Sequence, residues 1–184
     1  GRQQRPEPLQ QQALAANGIP FEVIPGISAA QGAAACAGIP LTHRDHAATL
    51  VFATGHLRGE GAARVVDLDW PMLARPHQTV VIYMCVGTLP VICAQLILHG
   101  LGAQTPAAIV ERASLPGQRT LTGTLQTLPA LALEQGVKSP ALIMIGGVLR
   151  QAVAESRERR AGSDALLERA SEMVFVDAAR RYLD

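Results

Sequence analysis

Aromatic side chains are scarce in this chain: three Phe, two Tyr and one Trp make up 3% of its 184 residues. Proteins that bind single-stranded nucleic acid stack its bases on aromatic rings, and nucleic-acid binders in general present a basic surface. The formal net charge is only +1, so a nucleic-acid partner is not expected. Because 48% of the residues are nevertheless hydrophobic, the core must be built from Ala, Leu, Val and Ile.

Long hydrophobic runs are also missing. The longest apolar stretches, around Leu89–Leu98 and Ala141–Leu149, fall well short of the roughly 20 residues that a helix needs to cross a bilayer. The first residues do not combine a charged start, an apolar middle and a small-residue cleavage site. We therefore expect no membrane segment and a cytoplasmic location.

Cysteine and histidine give no metal signature. The three cysteines, Cys36, Cys85 and Cys93, are odd in number, lack paired spacing and lie in apolar stretches. This pattern predicts reduced residues in the core. His43 and His46 have no third ligand nearby, so we interpret them as hydrogen-bonding loop residues and expect no metal.

Strand and helix signals alternate along the chain, separated by Gly, Pro and polar residues. This alternation predicts an α/β fold with a mostly parallel or mixed sheet and helices on both faces. The segment 57–69 is predicted to be a loop, and His56 a structural strand-end residue. The predicted strands are 19–24, 47–54, 79–84, 106–111, 119–125 and 140–148, and the predicted helices are 9–16, 28–37, 69–74, 89–99 and 128–135.

The stretch from Val23 to Arg44 contains a predicted helix that is built almost wholly of small residues. Pro25-Gly26 precedes a predicted helix that Ser28 is placed to cap, and Gly38-Ile39-Pro40 ends it. Small side chains allow another backbone or a ligand to come close. Since α/β folds bind ligands beside helix N-termini at strand ends, we expect a tightly packed ligand site here.

An ordered series of short motifs extends this reading. It starts with residues 18–29 (GIPFEVIPGISA) and 37–44 (AGIPLTHR). It continues through Thr54-Gly55-His56, Leu68-Asp69-Trp70, Tyr83-Met84, Val110-Glu111-Arg112-Ala113, Gln118-Arg119, Thr122-Gly123-Thr124-Leu125 and Ser139-Pro140-Ala141. From about residue 14 to 146, the chain resembles the tetrapyrrole methylase family, and within it the uroporphyrinogen-III C-methyltransferases of siroheme synthesis.

The resemblance implies two α/β domains with the ligand in the cleft between them, usually in a homodimer. Residues 1–46 would be the end of the first domain, 47–150 a whole second domain with a mixed sheet, and 151–184 a charged helical tail. The family's first domain carries a Pro-Gly-Asp loop and a Gly-Gly-Asp-Pro loop that binds the methyl donor. Neither loop occurs in this sequence, so the chain resembles a form that lacks roughly the family's first third.

The implied reaction moves a methyl group from S-adenosylmethionine to two pyrrole carbons of the tetrapyrrole uroporphyrinogen III. The products are S-adenosylhomocysteine and precorrin-2, a precursor of siroheme and cobalamin. The sulfonium is already a strong electrophile, so the implied chemistry uses no metal. The protein must hold donor and pyrrole in line, and a base must remove a proton afterwards.

The resemblance also assigns site residues. Ser28 and Ala29 match a Thr-Ala pair that contacts the methyl donor, partly through backbone. Met84 matches a methionine that lies over both donor and substrate, although by itself it would be interpreted as core. Ala113 and Ala141 match positions whose backbone holds the adenosine part.

Two arginines complete the implied site. Arg44 matches an arginine that faces the substrate, which suits a polycarboxylate because guanidinium binds carboxylates bidentately. Arg2 matches the arginine of a Gly-Arg-Gly segment near the reacting carbon and is the implied catalytic residue.

Two other functions stay open at this point. One is a non-catalytic remnant that dimerises or binds the cofactor, and the other is a methylase that acts on a precorrin. The run Ile39–Arg44 and the pairing of Gln118-Arg119 with 122–125 favour the uroporphyrinogen branch.

Overall fold

The computed structural model describes residues 10–23, 25–58 and 65–150, which form a five-stranded sheet with helices on both faces. The implied tail 151–184 lies outside the described residues. The helices are α1 (Gln10–Ala16), α2 (Ala29–Ala37), α3 (Trp70–Leu73), α4 (Leu89–Leu98) and α5 (Leu128–Glu134). The strands are β1 (Thr49–Thr54), β2 (Leu57–Arg58), β3 (Val65–Val66), β4 (Gln78–Tyr83), β5 (Pro106–Glu111), β6 (Arg119–Thr124) and β7 (Ala141–Ile145). None of the described helices has the length and apolar character needed to span a membrane.

The sheet is mixed, in the order β1-β4-β7-β5-β6. Only β1 and β4 are parallel neighbours; β7 runs antiparallel to both β4 and β5, and β6 antiparallel to β5. Of the two predicted alternatives, a mostly parallel or a mixed sheet, the mixed sheet is confirmed, because β7 lies between β4 and β5 with reversed direction. One consequence is that β4 and β5 end at the edge where β7 starts.

Side-chain alternation along the central strands builds a core on each face of the sheet. Val80 and Ile82 of β4 join the larger cluster, which includes Leu89, Ile92 and Leu96 around α4. Val81, between them in sequence, belongs to the cluster on the opposite face, where α2 packs. The sheet therefore separates α2 from α3, α4 and α5.

Helix α2 begins and ends where its sequence predicts. The Ser28 side chain accepts a hydrogen bond from the Gln31 N–H at 3.3 Å, as an N-cap does. Gly38 ends the helix in the left-handed region with φ 65°, which glycine adopts at no steric cost. Ala30, Ala33 and Ala34 are buried against the sheet, and their small side chains let the helix lie close to it.

Some residues of the motif series have structural roles. A Cβ on Gly55 would lie 2.8 Å from the Ile92 Cδ1, so a larger residue here would require the Ile92 side chain to shift. Asp69 caps α3 by accepting a hydrogen bond from the Met72 N–H at 3.0 Å. His56 is exposed just after the end of β1, which agrees with the predicted strand-end position.

Two expectations were wrong. The described part of the predicted strand 19–24 is not a strand, and Ile19, Phe21 and Val23 are 45–60% exposed. An isolated extended segment has no ladder to join, and no described strand pairs with this one. The predicted loop 57–69 in turn contains β2 and β3, which pair antiparallel through Leu57 and Val66.

Glu111, at the end of β5, is a buried carboxylate with three donors. The Lys138 N–H donates to its Oε1 at 2.8 Å, and the Arg119 Nε donates to its Oε2 at 2.6 Å. A further ion pair joins the Arg119 Nη2 to the Glu111 Oε2. The Lys138 hydrogen bond, with help from Arg119, holds the pKa of Glu111 below its ordinary value, although burial acts in the opposite direction.

We expect Glu111→Gln to lower the free energy of unfolding by about 1–3 kcal/mol at neutral pH, because a charged acceptor is lost. The lowered pKa means that the carboxylate stabilises the fold above the ordinary glutamate pKa. That contribution is lost as the pH falls through the folded-state value. Urea unfolding at a series of pH values should therefore show that the difference in free energy of unfolding between the unsubstituted chain and Glu111→Gln decreases as the pH falls.

The matched control is Glu134→Gln, on the exposed side of α5, which should change stability by no more than about 0.5 kcal/mol. A Glu111→Gln difference that stayed constant as the pH fell would contradict the assignment.

Candidate functional site

An open cavity of about 760 Å³ lies between α2 and the sheet edge where β4 and β5 end. Its lining comes from α2 and the residues just before it, from the ends of β4 and β5, and from the start of β7. Among the described lining residues none is charged, and Ala and Gly predominate along the helix. Such a small-residue, mostly apolar cavity with a few polar groups suits a small organic ligand.

The cavity brings together five of the residues that the resemblance singles out. Ser28, Ala29, Met84, Ala113 and Ala141 all line it, although they come from four separate parts of the chain. The structure thus shows where these five residues lie. Their binding of a methyl donor stays a prediction.

The two arginines are not in this group. Arg44 lies in a separate open pocket with Thr42, His43, Ala47 and Ala48, and is exposed there. Arg2 lies outside the described residues. Their roles as substrate-binding and catalytic residues remain predictions.

Unusual backbone conformations gather at the ends of β4 and β5. Met84, Arg112 and Ser114 have φ of 51°, 51° and 63°, in the left-handed region that costs an ordinary residue about 1–2 kcal/mol. Met84 is also 69% exposed, so its side chain is accessible at the cavity. Strained residues of this kind are typical of functional sites.

The first turn of α2 leaves the Ala29 N–H available beside the cavity. The Ala30 N–H donates to the Tyr83 hydroxyl at 3.1 Å, and the Gln31 N–H is used by Ser28. The Ala29 N–H has no acceptor among the described residues. A ligand in the cavity could therefore accept a hydrogen bond from this backbone group, with the positive end of the helix favouring an electron-rich acceptor.

A second side-chain bridge joins α2 to the loop after β5. The Gln118 Nε2 donates to the Cys36 carbonyl at 3.0 Å, and its Oε1 accepts from the Ser114 N–H at 2.8 Å. Tyr83 and Gln118 belong to the motif series, but no role was predicted for either residue from the sequence. Their contacts span 53 and 82 residues, so no local spacing could reveal them.

The prediction that all three cysteines lie in the core was wrong for Cys36. Cys36 is exposed and lines the cavity, because its helical phase is that of Ala29 rather than that of the buried Ala30 and Ala33. Cys85 and Cys93 are buried as predicted. Burial raises the pKa of Cys85 to about 12 and that of Cys93 to about 11.

His43 and His46 form a small loop structure. Their rings stack with centroids 4.9 Å apart, and the Asp45 N–H donates to the His43 Nδ1 at 3.2 Å. The prediction of a hydrogen-bonding role is confirmed for His43. Within residues 10–23, 25–58 and 65–150, no group of three or more His, Cys, Asp or Glu side chains could hold a metal ion.

Several known proteins are similar to this chain in sequence or in structure. The sequence profile of the tetrapyrrole (corrin/porphyrin) methylases matches residues 7–129. Siroheme synthase from Gluconacetobacter diazotrophicus is 56% identical over 142 residues, which are 77% of this chain and 30% of that protein. The chain thus spans less than a third of the length of this curated relative.

Solved structures give the same picture. The uroporphyrin III C-methyl transferase from Thermus thermophilus is 33% identical, with a TM-score of 0.64 over 77% of this chain and 57% of its own. Its complex with S-adenyl homocysteine aligns with a TM-score of 0.63 over the same shares. A cobalt precorrin-4 methyltransferase is 25% identical, with a TM-score of 0.64 over 76% of this chain and 57% of its own.

We expect Cys36 to be the one rapidly reacting thiol of the native chain. At neutral pH, maleimide should label Cys85 and Cys93 on the order of 100-fold more slowly, because burial blocks access and their raised pKa values suppress the thiolate. Peptide mapping by mass spectrometry over a time course measures the three rates.

The control is Cys36→Ser, which should remove the fast phase and leave the slow ones. Equal labelling rates for all three thiols under native conditions would show that the described burial is wrong.

Proposed function

The chain belongs to the tetrapyrrole methylase family, and we propose that its cavity binds S-adenosylmethionine for the C-methylation of uroporphyrinogen III to precorrin-2. The observation that carries the proposal is the convergence of Ser28, Ala29, Met84, Ala113 and Ala141 on one cavity. These are the positions that, by resemblance, contact the donor.

The cavity fits the adenosyl part of such a donor. Its volume of about 760 Å³ lies within the range of small-molecule sites, and its apolar lining suits a flat base and a thioether. The Ala29 N–H supplies a backbone donor, and the exposed Met84 side chain supplies a flexible, polarisable surface.

When bound, S-adenosylmethionine supplies an electrophilic methyl group, which a pyrrole carbon accepts as the carbon–sulfur bond breaks towards sulfur. The described residues contribute orientation. Ser28 and Ala29 fix the wall at the start of α2, and Met84 faces them from the end of β4. Holding two reactants in line in this way is worth on the order of 7–11 kcal/mol of the barrier.

The substrate assignment rests on the relatives. A siroheme synthase is 56% identical to this chain, and a uroporphyrin III C-methyl transferase is 33% identical, against 25% for the cobalt precorrin-4 methyltransferase. We assign the substrate carboxylates to Arg44, whose exposed guanidinium could bind them bidentately, and the position near the reacting carbon to Arg2.

The remaining proposals concern the context of the chain. Residues 1–46 are proposed to be the end of a first domain, 47–150 the second domain and 151–184 a helical tail. A homodimer is proposed by family resemblance. A cytoplasmic location is proposed because the three free cysteines suit a reducing compartment.

We expect the 184-residue chain to bind S-adenosylhomocysteine weakly and to turn over uroporphyrinogen III little or not at all. The reason is that its sequence contains no Gly-Gly-Asp-Pro loop.

Gly32 offers a matched pair of variants, because it lines the cavity from the middle of α2 and a Cβ there would meet no atom within 4 Å. Gly32→Ala should preserve binding and stabilise the helix by up to about 1 kcal/mol. Gly32→Leu should place a bulky side chain in the cavity and weaken binding.

Calorimetric titration with S-adenosylhomocysteine measures the binding, and formation of precorrin-2 measures the turnover. Unchanged affinity in the Leu variant would place the donor elsewhere. Turnover at the rate of a full-length relative would show that the absent loop is dispensable.

A further inference from the structure

We propose that Gln118 is a positioning residue that sets the width of the cavity and thereby the affinity for the adenosyl ligand. The inference rests on the proposed function and adds to it a residue that touches neither donor nor substrate. Gln118 does not line the cavity, but both of its hydrogen-bond partners, Cys36 and Ser114, do.

The two hydrogen bonds of Gln118 connect the two walls of the cavity, and we call this connection the clasp. One wall is α2, which Gln118 holds through the Cys36 carbonyl. The other is the loop after β5, which Gln118 holds through the Ser114 N–H. A single amide group thus fixes the separation of two segments that are far apart in the sequence.

Each of the two hydrogen bonds gives a partner to a backbone group, the Cys36 carbonyl or the Ser114 N–H, that has no main-chain partner among the described residues. Cys36 is in the last turn of α2, where carbonyl groups have no partner within the helix. Gly38 and Ile39 already use the Ala34 and Ala35 carbonyls, so Gln118 supplies the donor for the next one. Ser114 has φ 63°, a conformation that needs support from its surroundings.

The buried face of helix α2 consists of small side chains. Its described buried side chains are Ala30, Ala33 and Ala34, which bury little apolar area and therefore contribute little free energy. At its first turn the Tyr83 hydroxyl holds the Ala30 N–H. Gln118 has the corresponding role at the last turn, so its loss should let that end move away from the sheet.

An amide is the group that this position requires, because one end must donate and the other must accept. Gln118→Glu keeps the acceptor for Ser114 but loses the donor and brings a carboxylate towards the Cys36 carbonyl. Gln118→Ala loses both bonds. The pair therefore separates the contribution of the α2 end from that of the loop end.

The test measures two properties of the chain and its variants: affinity for S-adenosylhomocysteine, and the labelling rate of Cys36 by maleimide without ligand. Gln118→Ala should weaken binding on the order of 10-fold, and Gln118→Glu nearly as much. Both variants should speed Cys36 labelling several-fold.

The control is Gln104→Ala, which removes an exposed hydrogen bond of 3.0 Å to Gln126 away from the cavity. It should change the affinity and the Cys36 labelling rate less than about 2-fold.

The outcomes separate the two proposals. If the unsubstituted chain shows no binding at all, the proposed function fails, while the Cys36 rate still tests the clasp. If it binds and Gln118→Ala binds equally well, the positioning role is overturned, even where the variant is less stable. An unchanged Cys36 rate in both Gln118 variants overturns the clasp itself.

Discussion

The close packing of α2 on the sheet is the constraint on which the site depends. Ala30 and Ala33 let the helix lie near the strands, while Gly32 and Cys36, in the other helical phase, leave open space on the cavity side. Larger residues on the first face would lift the helix, and larger residues on the second would fill the cavity. One run of small residues therefore meets two requirements at once.

The direction of the central strands provides the opposite wall. Because β7 runs antiparallel between β4 and β5, those two strands end at the same edge, beside the start of β7. Met84 and Ser114 leave this edge in strained left-handed conformations, and Ala141 meets them from β7. The sheet thus holds residues from three parts of the chain on the side of the cavity opposite α2.

Local features were predictable from the sequence and distant ones were not. The N-cap of α2 follows from Ser28. The grouping of five residues at one cavity followed from the family resemblance and not from local pattern, because those residues come from four parts of the chain. The absence of a strand at 19–23 depends on a partner strand that local pattern does not encode, and the reversal of β7 depends on topology. Cys36 was misplaced because its neighbours are apolar on every side, and Tyr83 and Gln118 act across long sequence separations.

We propose that the methyl donor occupies the space between α2 and the ends of β4 and β5. Methyl-labelled alanine provides the most direct test, since alanines line that space and also occupy the far face of the sheet. During titration with S-adenosylhomocysteine, the methyl resonances of Ala29 and Ala113 should shift, while those of Ala74 and Ala132 in the opposite core should not. Shifts confined to alanines outside the cavity, with Ala29 and Ala113 unchanged at saturation, would contradict this placement of the donor.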